Sequence, residues 1–145
     1  MEFVETTEEI GDRIRRQLAR IESHPLFVRS LRMRRFLEFT IERSLAGKAD
    51  ELKEYVLGVE VFDRPPSHDP RIDPIVRVEA RRLRAKLRGF YESAGAEEEL
   101  MIEYSAMKPA TWVRIGALAS GLNITRSIAI PATKEKAMVR TKATQ

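Results

Sequence analysis

Apolar residues at Ile10, Ile14, Leu18 and Ile21 recur at spacings of four, four and three, the period of one face of a helix. Thr6 and Glu9 form a capping-box pattern ahead of them, and His24-Pro25 ends the run, because proline disfavours helical geometry in the residue before it. Arg13, Arg15, Arg16 and Arg20 fall off the apolar stripe and read as a solvated face. A second helix is predicted over about 30–45, with Leu37, Ile41 and either Ser44 or Leu45 on one line and Met33 and Phe36 beside it. Gly47 stops it, since glycine suits the left-handed conformation that follows many helix ends. Asp50 is then placed to cap a shorter third helix through Leu52, Tyr55 and Val56, which Gly58 interrupts before the apolar stretch 59–62. Two helices joined by so short a turn make a helix-turn pair.

Residues 63–74, DRPPSHDPRIDP, hold four prolines and no periodicity, and so predict a loop. Loops near a dozen residues tend to be functional or mobile. His68, Asp69 and Asp73 invite comparison with a metal site, but each Asp-Pro pair has a simpler use, aspartate being a preferred helix cap and proline a preferred first helical residue. No metal is expected. The fourth helix, 74–94, carries Val76, Ala80, Leu83, Leu87 and Phe90 at spacings of four, three, four and three. Arg77, Arg81, Arg84 and Arg88 follow the same intervals one position on. At about 100° per residue this row lies beside the buried stripe, with Arg82 and Lys86 on a second exposed line. Beyond Gly95, residues 100–104 and 111–115 read as two short strands around SAMKPA, which makes a hairpin the economical reading. From residue 116 the chain runs through ALASGLNITRSIAIPAT and ends in a polar, basic stretch free of aromatic residues, the pattern of a disordered tail.

Charge sharpens this picture only when it is placed along the chain. The net charge of +4 and pI near 9.6 suggest an anionic partner. Residues 1–115, however, hold 21 Lys/Arg against 21 Asp/Glu, and 116–145 hold five basic residues against one acidic. Within the neutral part, 74–88 carries Arg77, Arg81, Arg82, Arg84, Lys86 and Arg88 against Glu79 alone. Local segregation is therefore the signal. The 145 residues contain no cysteine, so disulfides, thiolate metal sites and cysteine nucleophiles are excluded. The acidic start lacks the features of a secretory signal and no stretch has membrane-spanning length, which leads to the expectation of a cytoplasmic protein with no membrane partner. With two histidines, no phosphate-cradling glycine loop and no nucleophile motif, neither an enzyme nor a cofactor is expected.

The order of elements suits a winged helix: helix, helix, short helix, loop, arginine-rich helix, hairpin. Segment IDPIVRVEARRLRAKL resembles the recognition-helix signature of the OmpR/PhoB-type winged helix-turn-helix domain, approximately TVDVHISRLRKKL. Val76, Val78, Arg82, Leu83, Arg84, Lys86 and Leu87 match, and Ala80 replaces the usual isoleucine. Residues 26–103, with the blocks LKEYVLGVEVFDR and DPIVRVEARRLR, resemble more closely the amino-terminal winged-helix module of bacterial proteins, notably of Acidobacteria, that continue into TolB-like propellers or tetratricopeptide repeats. The hairpin departs from that family: MIEYSAMKPATWVRIG lacks the glycine-aromatic wing signature. TRSIAIP resembles the opening of the effector domain that follows the module.

The expected fold is mainly α with a small β-hairpin, a winged helix-turn-helix domain over 26–115 with an extra helix over 1–25 and a basic tail over 116–145. The expected function is that of a sequence-specific, DNA-binding transcriptional regulator, with helix 74–94 in the major groove and the 100–115 hairpin as wing. The residues expected to reach DNA are Arg77, Arg81, Arg82, Arg84, Lys86, Arg88, Lys108 and Arg114, and the resemblance also implies that Glu79 faces DNA. Double-stranded DNA is the expected partner; a second copy of the chain, and RNA polymerase or an effector protein at the 63–74 loop, are further candidates. The competing reading is a protein-interaction module that has kept the winged-helix scaffold and lost DNA binding, its arginines docking an acidic partner.

Overall fold

The computed structural model describes residues 6–94, 98, 100–104 and 113–117, the last group by backbone alone. Along it run α1 (Thr7–Ser23), α2 (Leu31–Leu45), a 3-10 turn (Ala49–Glu51), α3 (Glu54–Glu60), α4 (Ile75–Ala94), β1 (Leu100–Tyr104) and β2 (Val113–Ala117). The chain is mainly helical, as its periodicity predicts. Among the described residues no helix is long and apolar enough to cross a membrane.

Helix α1 opens on the capping box. The Thr6 hydroxyl accepts from the Glu9 N–H at 3.2 Å, and the Glu9 carboxylate accepts from the Thr6 N–H at 2.8 Å. Two otherwise orphaned donors are thereby satisfied. Ile14 and Ile21 are fully buried and join one core with Phe36, Leu37 and Ile41 of α2, Leu57 of α3, the apolar stripe of α4, and Leu100, Ile102 and Tyr104 of β1. The amino-terminal helix thus belongs to the same core as the rest. Past its end, His24 Nδ1 accepts from the Leu26 N–H at 3.2 Å, Nε2 meets the Ser93 hydroxyl at 3.1 Å, and the ring packs edge-on against Phe90. One side chain therefore ties the α1–α2 turn to the carboxyl end of α4.

Three expectations need correcting. Asp50 and Leu52 do not open the third helix; they belong to the 3-10 turn and its end, and α3 starts after Lys53. Gly58 does not interrupt that helix either but lies inside it. Its missing side chain makes room for the His68 ring, which a Cβ at that position would overlap. The second strand runs two residues later than 111–115: Tyr104 pairs with Val113 and Leu100 with Ala117 in an antiparallel ladder, so Gly116 and Ala117 belong to the pairing and not to the tail. A shift of two residues preserves the alternation of a strand, so the apolar pattern alone does not choose between these registers.

The 63–74 segment is a chain of fastened turns. The Arg64 N–H donates to the Gly58 carbonyl at 3.0 Å and Arg64 Nε to Asp73 at 2.8 Å. Tyr55 reaches across to the Pro66 carbonyl at 2.9 Å and stacks on the buried His68 ring. The residues that suggested a metal site therefore serve packing and capping. The expected tail from 118 onward and the expected turn around Lys108 lie outside the described residues.

Candidate nucleic-acid interface

The start of α4 is set by Asp73, whose Oδ1 accepts the Ile75 N–H at 3.1 Å while its other oxygen holds Arg64. Aspartate before a helix offers an acceptor to unpaired amides and a negative charge to the positive helix end. The rotation of the helix is then fixed by Val76, Ala80, Leu83, Leu87 and Phe90, all buried. Burying that stripe turns Arg77, Val78, Arg81, Arg82, Ala85 and Arg88 outward. Hydrophobic burial on one side thus presents cations on the other.

These arginines differ in how far they are already engaged. Arg81 and Arg88 are exposed, and no carboxylate pairs with either among the described residues. Arg84 is half-buried at the β1 side of the helix, also without an ion-pair partner among the described residues. Arg77 is held: its guanidinium lies 3.1 Å from Glu54 of α3 and donates to the Pro70 carbonyl at 3.0 Å. Arg82 donates to Glu79 one turn back at 2.9 Å, yet keeps most of its side chain in solvent. Lys86 is turned away, about 140° around the helix from Arg81. Its ammonium donates to the Leu26 carbonyl at 2.8 Å and lies 5.9 Å from the centre of the Phe27 ring. It therefore fastens α4 to the α1–α2 turn. Arg114 stands on β2 opposite Glu103 in the ladder.

Glu79 is the clearest departure from the expected face. Its carboxylate is only 3% exposed, closed over by Arg82 and by Arg32 of α2, whose guanidinium lies 3.8 Å away. A buried carboxylate needs such partners, since leaving one without hydrogen bonds or counter-charge is costly. Glu79 is thus a strut between α4 and α2, and not part of the outward face. The same contact brings in a residue that the helix pattern missed. Arg32 and Arg29, both exposed, extend the cationic surface from α4 onto the start of α2. The sequence carried a signal for them: RSLRMRR, residues 29–35, holds four arginines in seven positions. Leu26, Val28 and Leu31 are exposed around them, and Leu26 lies where a Cβ on Gly89 of α4 would crowd it.

Chemically, the face offers planar donors that stay charged at any physiological pH and can form paired hydrogen bonds with a phosphate or a guanine edge. Comparison with protein families, with curated proteins and with solved structures finds no match to the chain.

Proposed function

We propose that the chain is a sequence-specific DNA-binding regulator of winged-helix type, with α4 as recognition helix and the β1–β2 pair as wing. The observation that carries this reading is the outward face of α4, where Arg81, Arg82 and Arg88 project from a helix whose opposite face is sealed into the core. An α-helix fits the roughly 12 Å major groove, and arginines on its outward side reach base edges and phosphates. Arg29 and Arg32 widen the footprint toward the flanking backbone, where contacts position the protein without reading sequence. Arg77 contributes only after exchanging Glu54 for a phosphate, and Lys86 contributes nothing.

The test is a salt titration of duplex binding with the purified chain. Each neutralised phosphate lowers log affinity by about 0.9 per tenfold rise in salt, so four arginine contacts give a slope of about −4. Absence of duplex binding at low salt, or a flat response, would remove DNA from the account. One observation favours the competing protein-interaction reading: Leu26, Val28 and Leu31 are exposed apolar residues set among arginines. Under that reading the same titration yields no duplex complex, and an acidic apolar peptide binds instead.

A further inference from the structure

Between α4 and β1 lies an open groove of about 270 Å³. Its floor is hydrocarbon and aromatic, built from Leu87, Tyr91 and Tyr104. The two phenol groups of that floor are already engaged. Tyr91 accepts from the Ile102 N–H at 2.7 Å and from the Gln17 amide at 3.4 Å, and the Tyr104 hydroxyl meets Thr40. Beyond the Tyr91 O–H, whose oxygen only accepts in these contacts, polar capacity is left to the rim. There Arg84 and Arg88 stand one helical turn apart on one wall, and Glu103 stands on the other. None of the three is ion-paired among the described residues. Like charges at this spacing repel, and the Glu103 carboxylate on the opposite wall forms no ion pair with either guanidinium.

We infer that this groove binds a small carboxylic acid with an apolar body, and that the bound acid withdraws Arg84 and Arg88 from DNA. The rim selects the charge. Among the described side chains of the rim, two guanidiniums against one carboxylate leave a single positive charge, which a monoanion neutralises and a phosphate dianion overshoots while facing Glu103. A carboxylate also matches the paired donors of a guanidinium. Depth selects the body: an apolar chain or ring can cover the Leu87–Tyr91–Tyr104 floor, whereas a phosphate of a DNA backbone stays outside it. The volume lies just under the ~300–1,000 Å³ range of ligand pockets, so the ligand is a small molecule and not a nucleotide cofactor. Binding of the acid is independent of the DNA reading, while its effect on DNA rests on that reading.

The experiment uses the full chain and 3-phenylpropionate as probe, followed by calorimetry and by amide chemical shifts. Saturable binding is expected, with the largest shifts at Leu87, Tyr91 and Ile102. The neutral alcohol 3-phenylpropan-1-ol and inorganic phosphate should each bind about tenfold more weakly or worse, since each lacks one half of the match. Arg84→Gln/Arg88→Gln should lose affinity for the acid by about tenfold or more, with folding checked by circular dichroism. Met101→Trp, which fills the groove from the strand side, should abolish acid binding while leaving α4 unaltered. Saturating acid should weaken duplex binding by about tenfold in the parent chain and not at all in Met101→Trp. Failure of the acid to saturate, or equal binding of the alcohol or of phosphate, would overturn the site. Acid binding with duplex affinity unchanged would overturn the regulation alone, and acid binding by a chain that never binds duplex would leave the site standing and remove the DNA reading.

Discussion

Two neighbouring residues of α4 separate binding from folding. Arg81 is exposed and without an ion-pair partner among the described residues, and Leu83 is fully buried. Replacing Arg81 by alanine is expected to cost roughly 1–3 kcal/mol of duplex affinity with the melting temperature almost unchanged. Leu83→Ala is expected to cost roughly 2–5 kcal/mol of stability in a denaturant titration. Normal duplex binding by a folded Arg81→Ala chain would show that the outward face is not the contact face. A second residue-scale effect arises where α1 meets α2. The Glu22 carboxyl is pushed up to about 7, first by burial and then by its hydrogen bond with, and repulsion from, Glu38, with Arg34 opposing. The folded chain thus holds a proton that the unfolded chain releases above the ordinary value of 4.5. The stability associated with this group is fully present below about 4.5 and is lost as pH rises to about 7. Glu22→Gln should flatten that decline and raise the melting temperature at pH 8. Identical melting profiles for the two chains between pH 5 and 8 would eliminate the pair as their cause.

Periodicity carried most of the information at the scale of elements. The apolar stripe of α4 appears in the sequence at the positions that are buried, because a 3.6-residue period is a local property. What escaped the sequence depends on contacts between elements. Gly58 reads locally as a helix breaker, and only the return of the 63–74 segment over α3 makes it the seat of His68. Glu79 reads as one more exposed polar position, since its burial requires Arg32 to arrive from 47 positions earlier in the chain. Lys86 reads as one more exposed cation, and no spacing rule connects it to the Leu26 carbonyl that it meets. Gly58→Ala tests the first of these contacts. The added methyl meets the imidazole ring, so the substitution should destabilise the fold by roughly 1–3 kcal/mol, the usual consequence of overpacking. A neutral or stabilising result would mean that the ring moves aside freely and that the segment is only loosely fastened.

Across the whole molecule, the balance of charge at 1–115 conceals a division by place. Cations gather on the outward side of α4 and the start of α2, while on the far side of α1 Arg15 is tied to Glu42 at 3.1 Å and to Asp12. On α4 and at the start of α2, Arg81, Arg88 and Arg29 are exposed without an ion-pair partner among the described residues. Total charge was a poor guide because pairs such as Arg15–Glu42 and Arg77–Glu54 form between elements, which a count along the chain cannot see. Sequence reading also set the amino-terminal helix apart as an addition to the domain, since periodicity does not reveal which helices share a core.

Tyr91 ties these parts together, its oxygen touching Gln17 of α1 and the Ile102 amide of β1 from a position on α4. In terms of hydrogen exchange, α1, α4 and β1 should open as one cooperative unit, because freeing any of them strips a partner from a half-buried phenol. The amides of Ile14, Leu83 and Ile102 should therefore share one protection free energy and lose it in parallel as denaturant is added. Earlier release of the Ile14 amide would show that the first helix detaches by itself, leaving the other two to exchange only with global unfolding.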